Sequence, residues 1–139
     1  MASFVKFYCF TEDLAEKKHN LGSDTLTVAL CAAANPPSAS GDAVLADLTQ
    51  ISYTNLSSRV LSTASSSQTT GTYKLVLNDL TLSASGGAVA AFRYIIVFND
   101  TAANDELIGW YDYGSDLTLA DGESLTLDFN ATNGLLQLT

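Results

Sequence analysis

His19 is the only histidine in this 139-residue chain. A single imidazole excludes a two-histidine metal site within one copy, and any histidine-based triad would have to use this residue. It follows Lys17 and Lys18 near the expected end of a short helix. A hydrogen-bonded or solvated helix-terminal residue is expected there rather than a general base. The remaining acid–base candidates are carboxylates. Asp112 and Asp116 flank Gly114, and Asp105 and Glu106 lie just upstream. Glycoside hydrolysis needs two carboxyl groups at a defined separation. These acids stand in turn-rich stretches that water should reach, with no base partner and no apolar cleft implied. No hydrolytic activity is expected, and the chain reads as a non-enzyme. Residues 100–105 and 112–116 offer oxygen ligands to calcium, but the EF-hand spacing is missing. Cys9 and Cys31 sit in the apolar runs FYCF and VALCAA, where a free cysteine packs as a small hydrophobe. Buried thiols are expected rather than a disulfide. With no CxxC and no Cys/His cluster, neither a metal nor another cofactor is expected.

Contact chemistry is better represented. Phe4, Phe7, Tyr8 and Phe10 form an aromatic cluster at the start of the chain. Either they dock the following helix on the domain's own core, or they form an arm that docks on a neighbouring subunit. Trp110, Tyr111 and Tyr113 form a second cluster. At strand spacing Tyr111 and Tyr113 share one face, while Trp110 takes the other. Trp110 is the expected core residue, and the two tyrosines are surface candidates that could stack a sugar or a partner's side chain. The candidate subunit-contact set is therefore Phe4, Phe7, Tyr8, Phe10, Tyr111 and Tyr113.

Charge narrows the partners. The net charge is −9, and it is unevenly placed. Residues 1–20 carry three acids and three bases, whereas the other 119 residues hold twelve acids against Arg59, Lys74 and Arg93 alone. Nucleic acids and anionic membranes attract clustered lysine and arginine, so neither is an expected partner. No run approaches the ~20 apolar residues of a helical membrane span. Met1 to Phe10 lacks a basic leader and a small-residue cleavage site, so no secretion signal is expected. The sequons at Asn55, Asn99 and Asn130 then read as chance asparagine-rich turns.

The elements that must carry these residues are mostly strands. A hydrophobic share of 47% supports one packed core, and a charged share of 15% leaves Ser, Thr, Asn and Gly to supply the polarity. Thr11 suits a helix cap, with Glu12 and Asp13 in a first turn, Lys17 and Lys18 in a last one, and Asn20 and Gly22 ending it. From Asp24 the period changes to two. Strands are expected over residues 25–30, 43–52 (with helix as a weaker alternative), 59–62, 73–82, 92–99, 107–113, 123–129 and 135–138. Residues 62–72 are a Ser/Thr/Gln/Gly tract with little to bury. Asn78-Asp79 marks an irregularity within its strand, and Asp121-Gly122 and Asn133-Gly134 signal tight hairpin turns. The Ile95-Ile96-Val97 centre of residues 92–99 points to a central strand buried on both faces. The expected architecture is all-β: an antiparallel, jelly-roll-like β-sandwich of about eight strands over residues 23–139, preceded by an N-terminal helical arm over residues 1–22.

Three segments together resemble small virion structural proteins of tailed bacteriophages: DLAEKKHNLGSDTLTVAL, TYKLVLNDLTLSASGGAVAAFRYIIVFND and LIGWYDYGSDLTLADGESLTLDF. Those proteins are small and β-rich, and act as head decoration or tail fibre components. The resemblance covers roughly two-thirds of the chain, with residues 32–71 matching least. It implies a phage particle protein, assembled in the bacterial host cytoplasm. A capsid decoration or cement protein that binds the head surface and stabilises the shell is the favoured role, because a small acidic domain without a shaft-forming repeat suits it. The alternative is a tail component, a fibre or receptor-binding module contacting the host surface. A glycan-degrading enzyme is the third class. The implied partners are the major capsid protein or other virion proteins, together with further copies of the chain. A trimer is favoured because shells offer threefold positions. No catalytic residue is implied.

Overall fold

The computed structural model describes residues 3–139. Strands take 41% of the chain and helix 8%, which makes the fold all-β. Every strand pair is antiparallel. The strands are β1 (Val5–Lys6), β2 (Leu26–Cys31), β3 (Thr63–Thr69), β4 (Thr72–Leu77), β5 (Leu80–Ser83), β6 (Phe92–Asn99), β7 (Leu107–Leu117), β8 (Ser124–Leu127) and β9 (Leu136–Leu138), with the helix α1 (Tyr8–Ala15) between β1 and β2. They form a four-stranded sheet in the order β1-β7-β6-β2, a three-stranded sheet β3-β4-β9 and a two-stranded sheet β5-β8.

β6 lies between β2 and β7, as its sequence predicts. The alternation sorts its side chains onto two faces. Ile95 and Val97 join the larger core cluster with Val28, Leu75, Leu82 and Leu127, which come from β2 and from both smaller sheets. Tyr94, Ile96 and Phe98 join a second cluster with Phe7, Trp110 and Ala29. Partly buried Leu45 and Leu48, from the connection between β2 and β3, pack against that second cluster. β2, β6 and the first half of β7 are thus buried on both faces. All six residues of β2 are buried for the same reason.

Five sequence expectations need correction. The Ser/Thr tract is a strand, β3, joined to β4 by the two-residue loop Thr70-Gly71. Both loop residues have positive φ (52° and 81°), the hairpin geometry that matches strand twist. Residues 43–52 are not a strand. The Asp47 carboxylate accepts hydrogen bonds from the main-chain N–H groups of Ala43 (2.9 Å) and Val44 (3.1 Å), bending the segment into a 3-10 turn over Leu45–Asp47. Residues 59–62 make only one bridge, Val60 to Thr27. The run 73–82 divides at Asn78-Asp79 into β4 and β5, which belong to different sheets. Gly122 turns the chain between β7 and β8, yet these strands do not pair with each other.

The helix also differs from expectation. It starts at Tyr8, so Thr11 lies inside it, and Phe7 holds the extended cap position without a side-chain cap bond. Packing decides this start, since Phe7 is fully buried against Trp110, with ring centroids 4.6 Å apart. The helix ends at Ala15, before Asn20 and Gly22. Lys17 takes the left-handed conformation (φ 68°), and the Lys17 and Lys18 N–H groups donate back to the carbonyls of Leu14 (3.3 Å) and Asp13 (2.8 Å). That is the Schellman ending, usually made by glycine. No break in packing falls at residue 22: β1 pairs with β7, while Phe10 and Leu21 belong to the larger core cluster.

Candidate functional site

The six aromatic candidates separate by burial. Phe7 and Phe10 are 0% and 2% exposed. Their side chains pack in the chain's own core, Phe10 in the larger cluster and Phe7 in the second. Phe4 packs over the Tyr111 ring at 5.1 Å and stands above Gly109, where any Cβ would meet its ring. Tyr111 is 7% exposed, a correction to its expected surface position. Both faces of β7 are covered there, so Tyr111 and Trp110 are each buried, in opposite clusters. Burial pushes the Tyr111 hydroxyl up to about 12. Tyr113, two residues on, is 48% exposed, and Tyr8 is 68% exposed. Tyr113 borders a groove of about 340 Å³ with Tyr111 and Asp128. Phe4 borders a neighbouring groove that shares Tyr111 and Asp128. Phe4, Tyr111 and Tyr113 therefore lie along one side, and Tyr8 takes no part in either groove.

Of the candidate carboxylates, Asp112 and Asp116 are engaged in hydrogen bonds that tie the end of β7 to its neighbours. Asp112 receives two bonds from Arg93, at 2.8 and 3.0 Å, and one from the Gly114 N–H at 2.8 Å. The Arg93 bond, more than any other influence, holds the Asp112 carboxyl below its ordinary range. Asp116 accepts the Ala33 N–H at 2.9 Å, tying the end of β7 to the segment after β2. Burial raises the Asp105 carboxyl, with Asp100 and Glu106 adding like charge. Among the described residues no three His, Cys, Asp or Glu side chains gather as a metal-binding group.

His19 is neither solvated nor fully hydrogen-bonded, which corrects its expected role. It is 5% exposed, and its ring lies 5.2 Å from that of Phe10. Asn99 fixes its tautomer. The Asn99 Oδ1 accepts the N–H groups of Thr101 (3.0 Å) and Ala102 (3.1 Å), which turns Nδ2 towards Asp24 (2.7 Å) and His19 Nδ1 (3.0 Å). Nδ2 can only donate, so Nδ1 accepts and the ring proton sits on Nε2. That Nε2 is buried and has no hydrogen-bond partner among the described residues. Desolvation lowers the His19 pKa, opposed by the charges of Asp13, Glu106 and Asp24. Asp13 is itself paired with Lys18 at 2.8 Å. Among the described residues no hydroxyl or thiol is hydrogen-bonded to the ring. Sequence alone could not place His19 here, because its partner Asn99 is eighty positions away.

Both cysteines are free. Cys31 is buried, and burial pushes its thiol up to about 11, with Asp42 adding to the effect. The Cys9 thiol is raised too, chiefly by desolvation. Neither is poised as a nucleophile. No helix among the described residues is long and apolar enough to cross a membrane. Comparison with known proteins finds no matching family model, no matching curated protein and no matching solved structure.

Proposed function

We propose that this chain is a structural protein of a bacteriophage virion, a decoration or cement protein that binds the head surface and stabilises the shell. One observation carries the reading most. The side chains best suited to chemistry are committed to holding the fold together: Asp112 to Arg93, Asp116 to Ala33, and His19 to Asn99. What is left outside is an acidic surface with Tyr8 and Tyr113 exposed on it. Such a surface suits binding, and aromatic side chains are favoured anchors in protein contacts. The chain's role here is non-enzymatic and uses no cofactor. Its partners are the major capsid protein and further copies of itself, with a trimer suited to threefold positions on a shell.

The architecture belongs to the same proposal. β6 pairs with β7, β5 with β8 and β4 with β9. Pairs nested in this way describe one long antiparallel hairpin folded over itself, which supports a jelly-roll-like sandwich. The four-stranded sheet is then one layer, and the two smaller sheets form the other. A tail-fibre or receptor-binding role is the second reading, favoured by the Tyr113 groove. Adding purified protein to heads that lack it tests the choice. Saturable binding with a raised temperature of DNA release supports decoration. Binding to host cells instead of heads supports the tail role, and binding to neither removes both.

A further inference from the structure

We infer that the free edge of β3 is a self-association surface, which pairs antiparallel with β3 of a second copy across a twofold axis at Ser66. β3 is the longest edge strand in the molecule. Its main chain bonds to β4 on one side, and no other main-chain hydrogen bond reaches Thr63–Thr69 among the described residues. The exposed edge of β2 is handled differently. There Val28 and Leu61 N–H groups reach Arg59 and Leu26 carbonyls, and Ile51 donates to Leu30, so residues 51–61 cover it. Nothing comparable covers β3.

The geometry of the hairpin says which groups face outward. Across a two-residue loop the flanking residues, Thr69 and Thr72, exchange main-chain bonds. Thr69 and Ser67 therefore point their N–H and C=O groups at β4, while Gln68 and Ser66 point theirs away. A twofold axis at Ser66 makes the two Ser66 residues a mutually bonded pair, the arrangement an antiparallel ladder needs at its centre.

Two sequence features select a second copy as the occupant. First, exposed edges are ordinarily guarded by charge, proline or a bulge. β3 reads TASSSQT, without charge or proline, and its only irregularity is at the Thr63/Ser65 end. In a chain of net charge −9, like charges keep copies apart over most of the surface. Residues 60–73 hold no charged side chain, so two copies can meet here without opposing carboxylates. Second, TASSSQT reads almost the same in both directions. Pairing about Ser66 places Ser65 opposite Ser67 of the second copy at two symmetric places, within the regular part of the strand. Such hydroxyl pairs hydrogen-bond across strands. The product is one continuous six-stranded sheet, β9-β4-β3 followed by its twofold mate. A contact of one strand is small, so the dimer forms reversibly with concentration. The inference concerns the free protein and does not depend on the virion reading.

Sedimentation velocity on the whole chain, at concentrations rising to roughly 1 mM, tests it. Wild type should pass from monomer to dimer. S65E/S67E puts glutamates opposite one another at two symmetric places, and should weaken association by roughly tenfold. S65K/S67E puts opposite charges at the same places, and should restore association to the wild-type level or beyond. Both sites are on an exposed strand, and circular dichroism with melting checks that each variant folds. Wild type that stays monomeric throughout would overturn the inference. So would a dimer or trimer that S65E/S67E leaves unchanged, or S65K/S67E that associates no better than S65E/S67E.

Discussion

Replacing Phe7 by alanine should show that the first residues of this chain are part of its fold. Phe7 is fully buried, packs tilted against Trp110 with ring centroids 4.6 Å apart, and holds the N-cap position of α1. Truncating a buried phenylalanine costs about 3–5 kcal/mol, through lost transfer energy and the cavity left behind. Part of that, about 0.5–1.5 kcal/mol, is the ring pair itself. Domains of this size have total stabilities of about 5–15 kcal/mol, so the loss is a large fraction. At about 3 °C per kcal/mol for a chain of this length, the melting temperature should fall by about 9–15 °C. Tyr8→Ala is the matched control. It removes the adjacent ring, which is exposed, and should stay within about 0.5 kcal/mol of wild type. Urea titration with a shared slope and scanning calorimetry would measure both. If Phe7→Ala melts with wild type, the segment does not pack as described, and an arm that docks elsewhere is restored.

Three further outcomes follow from local geometry. The lowered His19 pKa means that the folded state prefers the neutral ring. Its contribution is therefore full above the ordinary value of 6.5 and is lost as pH falls through the lower folded value; His19→Gln should flatten the stability profile between neutral and mildly acid pH. Thr70 holds a positive φ that asparagine adopts more readily, so Thr70→Asn should raise stability by about 0.5–1 kcal/mol in a urea titration. At Gly134 a Cβ would come 2.5 Å from the Leu75 carbonyl oxygen, with φ at 75°, so Gly134→Ala should cost more than about 1 kcal/mol and loosen β9 from β4 as read by amide exchange.

The parts of the fold that were legible are those where side-chain burial writes a period into the sequence. β6 is the clearest case, because its apolar residues face two cores and leave few polar positions to confuse the pattern. β3 has no such signal. Its residues are nearly all exposed, and it is a strand because the Thr70-Gly71 loop folds it back on β4. Thr-Gly is a weaker hairpin signal than Asn-Gly, since threonine resists positive φ. Residues 43–52 carry enough apolar side chains for a strand, but one carboxylate, Asp47, captures two main-chain donors and bends the run. At the candidate site, alternation separates Trp110 from Tyr111 correctly but cannot say that both sides are covered. The cover comes from Phe7 on one side and from Phe4 and Phe129 on the other, all remote in sequence.

The role proposed for this chain is decided most directly by looking for it in purified particles of the bacteriophage to which the proposal would assign it. Cryo-electron microscopy of intact virions, with copy number from quantitative mass spectrometry, gives both place and stoichiometry. A decoration protein should appear as density on the outer head surface, in hundreds of copies, into which this all-β fold docks. A handful of copies at the tail would contradict the head assignment, and absence of the chain from the particle would contradict the structural role altogether.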